Sequence, residues 1–286
     1  MPRSTGSGYR IRTMTERDVL TAVDWAAGEG WNPGLYDAKC FYAADPSGFL
    51  IGELDGQPIA TISVVKYSRS FGFLGLYIVQ ASHRGCGYGR ELWNAGLAYL
   101  RACTVGLDGV VAQQANYRKS GFDLAYRNIR YRGVSAPPAR KDPRIVPASS
   151  IPFEALNEYD TTLFPADRAA FLRCWIDQPR STALAVLEDG RVVGYGMIRA
   201  ARVGHKVGPL FADDARHAAR LFEALAASVP SGEQVFLDVP ELNREAIMLA
   251  QRHDMDVVFE TARMYLGVAP DLPMHRVFGV TTFELG

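Results

Sequence analysis

The chain has 286 residues, of which 48% are hydrophobic and 22% are charged, and its 31 basic residues are balanced by 31 acidic ones. This length suits two domains, and this composition favours buried cores over disorder. Because a balanced charge does not favour nucleic acid, and because the sequence lacks the apolar run of a membrane span or signal peptide, we expect a cytoplasmic protein with neither partner.

The first part of the chain predicts a strand followed by two helices. Residues 9–13 alternate between polar and apolar types, as a short strand does. Thr15 and Asp18 form a capping pattern at the start of a longer helix. Asn32-Pro33 combines a cap residue with a first-turn proline, and it predicts a second short helix that runs to about residue 42.

A strand, a glycine-rich loop and a helix form the centre of the first half. Residues 73–79 predict a buried strand, and residues 92–100 keep helical spacing. The loop between them contains three glycines, namely Gly85, Gly87 and Gly89. Such a loop presents free backbone N–H groups and the positive end of a helix to an anion. Arg84 and Arg90 flank the loop and can add charged donors.

The spacing of this loop distinguishes between the known anion-binding motifs. It is one residue shorter than the dinucleotide fingerprint G-x-G-x-x-G, and it lacks the Gly-Lys-Ser/Thr end of a P-loop. Arg84-x-x-Gly87-x-Gly89 instead resembles the pyrophosphate motif of the GNAT superfamily, the acyl-CoA-dependent N-acyltransferases. The alternative is a glycine-rich turn that only closes the packing of strand and helix. The resemblance covers residues 9–132 and implies an α/β (α+β) fold, with a mixed, mostly antiparallel twisted sheet flanked by helices.

The resemblance also implies acetyl-CoA as co-substrate and assigns residues to it. The loop would hold the pyrophosphate, and the backbone of the preceding strand would pair with pantetheine, with one of its amides polarising the thioester carbonyl. The cofactor-binding candidates are Tyr77, Ile78, Val79, Arg84, Gly85, Cys86, Gly87, Tyr88, Gly89, Arg90, Asn116 and Lys119. The four cysteines are scattered, and no Cys/His cluster predicts a metal site.

Tyr117 is the candidate general acid. Tyr117-Arg118-Lys119-Ser120-Gly121-Phe122 resembles the family motif Tyr-x-Lys-x-Gly-Phe, whose tyrosine often protonates the CoA sulfur. The alternative is an aromatic residue that only packs on the sheet. Many family members carry an asparagine seven residues earlier, where this chain has Val110. No general base is secure, and the candidates are Asp24, Glu29, Glu53 and Tyr77.

The acceptor is expected to be a small-molecule amine or an amino acid. The segment 29–34 lies between the first two helices, which in this superfamily usually borders the acceptor site, so Trp31 and Tyr36 are the substrate-binding candidates. A simple helix–helix turn with Trp31 in the core is the alternative. For the whole chain, the alternative to an enzyme is a non-catalytic acyl-CoA-binding regulatory or interaction protein.

The second half repeats the pattern of the first. A shift of 134 positions moves Asp55-Gly56, a strong hairpin signal, onto Asp189-Gly190. The same shift moves Arg84 onto Ala218 and Gly87 onto Leu221, so the anion-binding residues are lost. We therefore predict a GNAT domain at 9–132, a proline-rich linker at 133–148 and a degenerate GNAT-like domain at 149–286.

The acidic pair Asp213-Asp214 stands where the second half would need its glycine loop. These carboxylates would repel a pyrophosphate, and they are better explained as caps of a helix. Two fused units resemble a dimer, so we expect either a monomer (a pseudo-dimer) or a homodimer. The β-prone tail at 268–286 could complete a sheet edge or form a wall of the cleft, and the sequence leaves both open.

Overall fold

The computed structural model describes residues 8–136, here called the first half, and residues 142–286, the second half. These residues form one sheet of 13 strands with eight helices packed around it. The strands are β1 (Tyr9–Thr13), β2 (Phe49–Leu54), β3 (Gln57–Lys66), β4 (Phe71–Val79), β5 (Thr104–Val110), β6 (Asp123–Val134), β7 (Ile145–Pro147), β8 (Ser181–Glu188), β9 (Arg191–Ala200), β10 (His205–Ala212), β11 (Gln234–Pro240), β12 (Asp256–Leu266) and β13 (Val277–Gly279). The helices are α1 (Glu16–Gly28), α2 (Asp37–Ala44), α3 (Tyr88–Tyr99), α4 (Gln114–Lys119), α5 (Phe153–Thr161), α6 (Ala169–Trp175), α7 (Ala215–Ala226) and α8 (Arg244–Arg252).

The two halves exchange their last long strands. The sheet order is β1-β2-β3-β4-β5-β12-β6-β11-β10-β9-β8-β7, and β13 pairs with β10. Strand β12 of the second half therefore completes the first half, while β6 of the first half pairs with β11 of the second. Only β4/β5 and β10/β11 are parallel pairs among the described strands. The mixed, mostly antiparallel fold is confirmed, and the halves share one sheet.

Two buried ion pairs hold the exchanged strands in register. Arg130 on β6 lies opposite Asp238 on β11, with Nε–Oδ1 and Nη2–Oδ2 distances of 2.6 and 2.8 Å. Arg263 on β12 lies opposite Asp108 on β5 in the same way, at 2.9 and 2.6 Å. Burial opposes ionisation of Asp238, but Arg130 and Lys206 keep its pKa below the ordinary value. Removing one partner of such a pair leaves a buried charge, which typically costs about 3–5 kcal/mol.

Local signals in the sequence account for several elements. The Thr15 Oγ1 accepts from the Asp18 N–H and the Asp18 side chain accepts from the Thr15 N–H, which is the predicted capping box of α1. Asp55-Gly56 and Asp189-Gly190 both have positive φ angles, so both hairpin turns are confirmed. The Asp214 side chain caps α7 by accepting from a backbone N–H at 2.8 Å, as predicted.

The predicted start of the second helix at Asn32-Pro33 is wrong, because α2 begins at Asp37. The Asn32 side chain instead donates to the Val203 carbonyl and accepts from the Val203 N–H, at 3.0 and 2.8 Å. The Leu35 N–H donates to Ala200 O in the same part of the second half. These long-range bonds engage the side chain of the predicted cap residue and a backbone N–H of the predicted first turn.

The predicted linker at 133–148 is partly regular structure. Its first residues belong to β6 and residues 145–147 form β7, which pairs with β8. Residues 137–141 of this prediction lie outside the described ranges. The predicted domain limits stay predictions, but the strand exchange means that neither half has a complete sheet alone.

The last ten residues of the C-terminal tail, 277–286, lie inside the molecule. Strand β13 pairs with β10. The side chain of Leu285 is fully buried in a core that includes Phe41 of the first half and Trp175 of the second. The Tyr67 hydroxyl donates to Leu285 O at 3.0 Å. The tail thus joins the two halves. No helix in the described ranges is long and apolar enough to span a membrane.

A disulfide that the sequence analysis did not predict connects the halves. Cys40 on α2 and Cys174 on α6 are 134 residues apart, which equals the shift of the repeat, and their Cα atoms are 5.2 Å apart. Equivalent positions of the two halves therefore meet where α2 and α6 pack together.

Replacing Cys40 and Cys174 together by serine should lower the free energy of unfolding by about 3–5 kcal/mol, because the bond closes a very long loop in the unfolded chain. Urea unfolding measures the change, and Cys103→Ser, at a free and half-buried cysteine, is the control. Equal unfolding midpoints for the double variant and the control would contradict the stabilising role.

Candidate active site

A cleft opens where β4 and β5 separate. The two strands pair in parallel from Phe71/Thr104 to Leu74/Leu107, and beyond this point they diverge. A bulge causes the divergence: Leu76 has a φ of +45°, and the register against β3 shifts there. The Thr61 hydroxyl supports the bulge by donating to Leu76 O at 2.9 Å. A cavity of about 930 Å³ lies between the two strands.

The glycine loop forms the outer end of this cavity. Gly85 and Gly87 have φ angles of +77° and +99°, which side-chain-bearing residues rarely adopt. Helix α3 begins directly after Gly87, and no side chain within residues 8–136 or 142–286 caps it. The first turn therefore leaves backbone N–H groups free for an anion. A Cβ on Gly89 would lie 2.6 Å from the Tyr77 hydroxyl, so this glycine allows the loop to approach β4.

Arg84 fastens the loop to the rest of the first half. Its Nε donates to Val79 O at 2.8 Å, and its Nη2 donates to Glu29 Oε1 at 2.5 Å. The candidate base Glu29 is therefore held by Arg84 at the outer end of the cavity. Arg90 also lines the cavity and is exposed.

Tyr117 lies on the opposite wall, on α4. Its ring stacks on Trp93 with centroids 5.8 Å apart, and a Cβ on Gly109 would clash with it at 2.2 Å. Tyr77 packs on Trp93 as well, at 5.2 Å. Burial raises the pKa of Tyr117 to about 12 and also raises that of Tyr77. Both phenols thus keep their protons at neutral pH and can donate them.

A polar network continues along α4. The Asn116 Nδ2 donates to Gln113 Oε1 at 2.7 Å, and the Lys119 ammonium donates to Asn116 Oδ1 at 3.5 Å. All three residues line the cavity. Val110, at the position where many members of the resembled family carry asparagine, lines it as well. This network can supply polar contacts to a bound molecule.

The cavity brings together most of the predicted site residues. Those in its lining are Trp31, Tyr77, Ile78, Val79, Arg84, Gly85, Gly87, Gly89, Arg90, Asn116, Tyr117 and Lys119. Tyr36, Cys86 and Tyr88 lie outside the lining. Tyr36 is exposed before α2, Cys86 is an exposed free thiol, and the Tyr88 ring packs on Tyr9.

The other candidate bases lie elsewhere. Asp24 pairs with Arg202, and the buried Glu53 pairs with Arg10 and Arg12. Neither acid lines the cavity.

The second half supplies cavity residues that the sequence analysis missed. Phe259 and Thr261 come from the exchanged strand β12, while Phe283 and Glu284 come from the C-terminal tail. Apart from the possible role of the tail, the predicted cleft lay within the first half, because nothing local in the sequence marks β12 as an exchanged strand. The sequence left open whether the tail completes a sheet edge or forms a wall of the cleft. Its residues Phe283 and Glu284 do form part of the cavity wall.

The corresponding cleft of the second half is filled by the chain itself. Strands β10 and β11 pair only up to Val207/Leu237 before they separate. Strand β13 pairs with Leu210 and Phe211 on the open side of β10, and the shift of 134 relates these residues to Leu76 and Tyr77. The acidic pair is used internally, since Asp214 caps α7 and Asp213 pairs with Arg276.

Comparison with known proteins agrees with this architecture. The family models described as "Acetyltransferase (GNAT) family" and "Acetyltransferase (GNAT) domain" match residues 17–122 and 156–279. Holothin acyltransferase from Pseudoalteromonas sp. (strain SANK 73390) is 30% identical over 92% of this chain and 90% of that protein. The uncharacterised N-acetyltransferase YitH of Bacillus subtilis is 27% identical over 61% of this chain and 62% of its own length.

Solved structures show the same fold at low identity. A candidate acetyltransferase from Pyrococcus horikoshii superposes with a TM-score of 0.83 at 22% identity, covering 100% of this chain and 99% of the other. A tandem GNAT protein from the clavulanic acid biosynthesis pathway superposes with a TM-score of 0.64 at 13% identity, covering 92% and 100%. The chain therefore belongs to the GNAT superfamily of acyltransferases, and it carries two GNAT units in tandem.

Proposed function

We propose that the protein is an N-acetyltransferase that transfers an acetyl group from acetyl-CoA to the amine of a small molecule. The observation that carries this proposal is the open cleft of the first half. It combines an unpaired edge of β4, an uncapped helix end and a half-buried tyrosine in one cavity.

The residues present fit acetyl-CoA. The edge of β4 at Tyr77, Ile78 and Val79 has no strand partner on its cavity side, so its backbone groups can pair with pantetheine. The Gly85–Gly89 loop and α3 can receive the pyrophosphate. The amide of Ile78 or Val79 would polarise the thioester carbonyl. Because β13 fills the second cleft, we propose that the cofactor binds only in the first half.

Direct attack of the amine gives each group one task. The neutral amine attacks the thioester carbon, the C–N bond forms and the C–S bond breaks. Tyr117 gives its phenolic proton to the departing sulfur and regains one from the nitrogen through water. Tyr117 lines the cavity and its raised pKa keeps the phenol protonated, which supports this role. The name of the Pseudoalteromonas relative supports acyl transfer, whereas the small acceptor is proposed from the cavity alone.

The second candidate is a non-catalytic acyl-CoA-binding regulatory protein, which Val110 favours because it replaces the family asparagine in the cavity wall. A thiol-release assay with a panel of primary amines separates the two. Binding of acetyl-CoA without thiol release on any amine would support the second candidate and contradict the first.

We also propose that the protein is a monomer, because the exchange within one chain already pairs two units. The cytoplasmic location is likewise a proposal. Disulfides are rare in that compartment, so the oxidation state of Cys40 and Cys174 in freshly lysed cells tests it.

Gly85→Ala should abolish the stabilisation of the protein by acetyl-CoA, because a Cβ at this positive φ distorts the pyrophosphate loop. Gly232→Ala is the matched control, since its φ of +87° is similar and nothing lies within 4 Å of its added Cβ either. Both variants should lose about 1–2 kcal/mol of stability. Thermal melting with and without acetyl-CoA measures the difference, and equal ligand-induced shifts in the two variants would refute the loop as the binding site.

Tyr117→Phe should lower kcat by at least about 100-fold with little change in KM for acetyl-CoA, because only the transferred proton is lost. Tyr131→Phe is the control, because it removes a phenolic hydroxyl group from a residue of β6 that lies outside the cavity. With a pKa of about 12, Tyr117 should cause no loss of wild-type rate between pH 7 and 10. An unchanged kcat in Tyr117→Phe removes this residue from the mechanism.

A further inference from the structure

The C-terminal tail brings a carboxylate to the inner end of the first-half cleft. Glu284 lines the cavity and is only 3% exposed. Its backbone packs so closely on β4 that a Cβ on Gly75 would lie 2.1 Å from Glu284 O. Gly75 immediately precedes the bulge at Leu76, where β4 and β5 separate. Glu284 therefore lies at the end of the cavity away from the glycine loop, where a thioester on β4 would meet the acceptor.

The Glu284 carboxylate is only partly used by the protein. Its Oε2 accepts a hydrogen bond from the Thr282 hydroxyl. Among the described residues, Oε1 has no hydrogen-bond partner, and no Lys or Arg nitrogen lies within 4 Å of the carboxylate. One oxygen at the cavity wall can thus receive a donor from a bound molecule.

The other acids of the cavity are committed. Asp108 Oδ1 accepts from Arg263 and Asn128, and its Oδ2 accepts from Arg263. Glu29 holds Arg84 at the outer end, beside the glycine loop. Of the three acids that line the cavity, Glu284 is the one at the inner end with an unengaged oxygen.

Two buried cations, Arg130 and Lys206, lie near Glu284 without contacting its carboxylate. The other buried charges nearby are Asp238, Arg199 and Asp37, which lie close to these two cations or to one another. Arg130 pairs with Asp238 and Arg199 pairs with Asp37. Lys206 lies 3.7 Å from Asp238, its Nζ has no hydrogen-bond partner among the described residues, and burial lowers its pKa to about 8. Both cations thus lie against Asp238, and neither occupies the free oxygen of Glu284.

Aromatic rings surround the same end of the cavity. Phe283 and Phe259 have centroids 6.3 Å apart, and Trp31 lines the cavity between the halves. Apolar faces beside a single carboxylate suit an amine attached to a flat or apolar body.

We infer that Glu284 is the acceptor-binding carboxylate of the first-half cleft, where it holds a cationic primary amine on an apolar body and takes one proton from it. This inference depends on the proposed acetyl transfer. The ammonium gives one proton to Glu284, and the neutral amine then attacks the thioester carbon. Tyr117 protonates the sulfur and recovers the second proton from the nitrogen. The products are the amide and the free thiol, and Glu284 returns its proton to solvent.

Two aromatic amines test the inference in the full chain. Benzylamine is cationic at pH 7 and aniline is neutral, so only benzylamine needs a carboxylate to bind and deprotonate it. In Glu284→Gln, kcat/KM for benzylamine should fall at least about 100-fold and should rise steeply with pH, because only the rare free amine can react. With aniline the change should stay within about threefold. Glu284→Asp should restore part of the benzylamine activity.

Two readouts separate this role from a structural one. Acetyl-CoA should still raise the melting temperature of Glu284→Gln, and equal losses with both amines would make Glu284 a mere counter-ion of Lys206 and overturn the inference. Should that variant not fold, Thr282→Val removes the bond that positions Oε2, and benzylamine turnover should again fall relative to aniline. Wild-type turnover of aniline but not benzylamine contradicts the inference alone. Absence of thiol release with every amine contradicts the proposed function itself.

Discussion

Two of the buried Arg–Asp pairs between the halves, Arg130–Asp238 and Arg263–Asp108, determine the organisation of the chain. Arg130 and Arg263 occupy the eighth positions of β6 and β12, and Asp238 and Asp108 the fifth positions of β11 and β5. Because each pair joins one half's last strand to the other half's sheet, a slip in register would leave buried charges unpaired. The exchange places β12 in the wall of the first cleft and makes each half depend on the other.

The same architecture gives the two halves different tasks. The first half keeps the glycines, the uncapped helix and an open strand edge, while the second uses its acidic pair for capping and pairing. Strand β13 covers the edge of β10 that corresponds to the open edge of β4. The tail then continues to Glu284 in the first cleft. One segment thus closes the second cleft and completes the first.

Features that depend on neighbouring residues were predictable from the sequence, whereas the pairing of strands from different halves was not. The Asp-Gly turns, the capping box of α1, the glycine loop and the position of Tyr117 each depend on a few neighbouring residues. An alternating strand such as β12 gives no sign of which half it joins, and Glu284 reaches the cleft only through the tail. A comparison of the repeats could have found the disulfide, because Cys40 and Cys174 are separated by the repeat shift itself.

We propose that acyl transfer occurs in one composite cleft, which is built on the first half and completed by the second. A crystal structure of the protein with acetyl-CoA tests it most directly. We expect one cofactor per chain, with pantetheine along Tyr77–Val79, pyrophosphate at Gly85–Gly89 and β13 in place on β10. A cofactor bound along residues 210–212, or a tail displaced from both clefts, would contradict it.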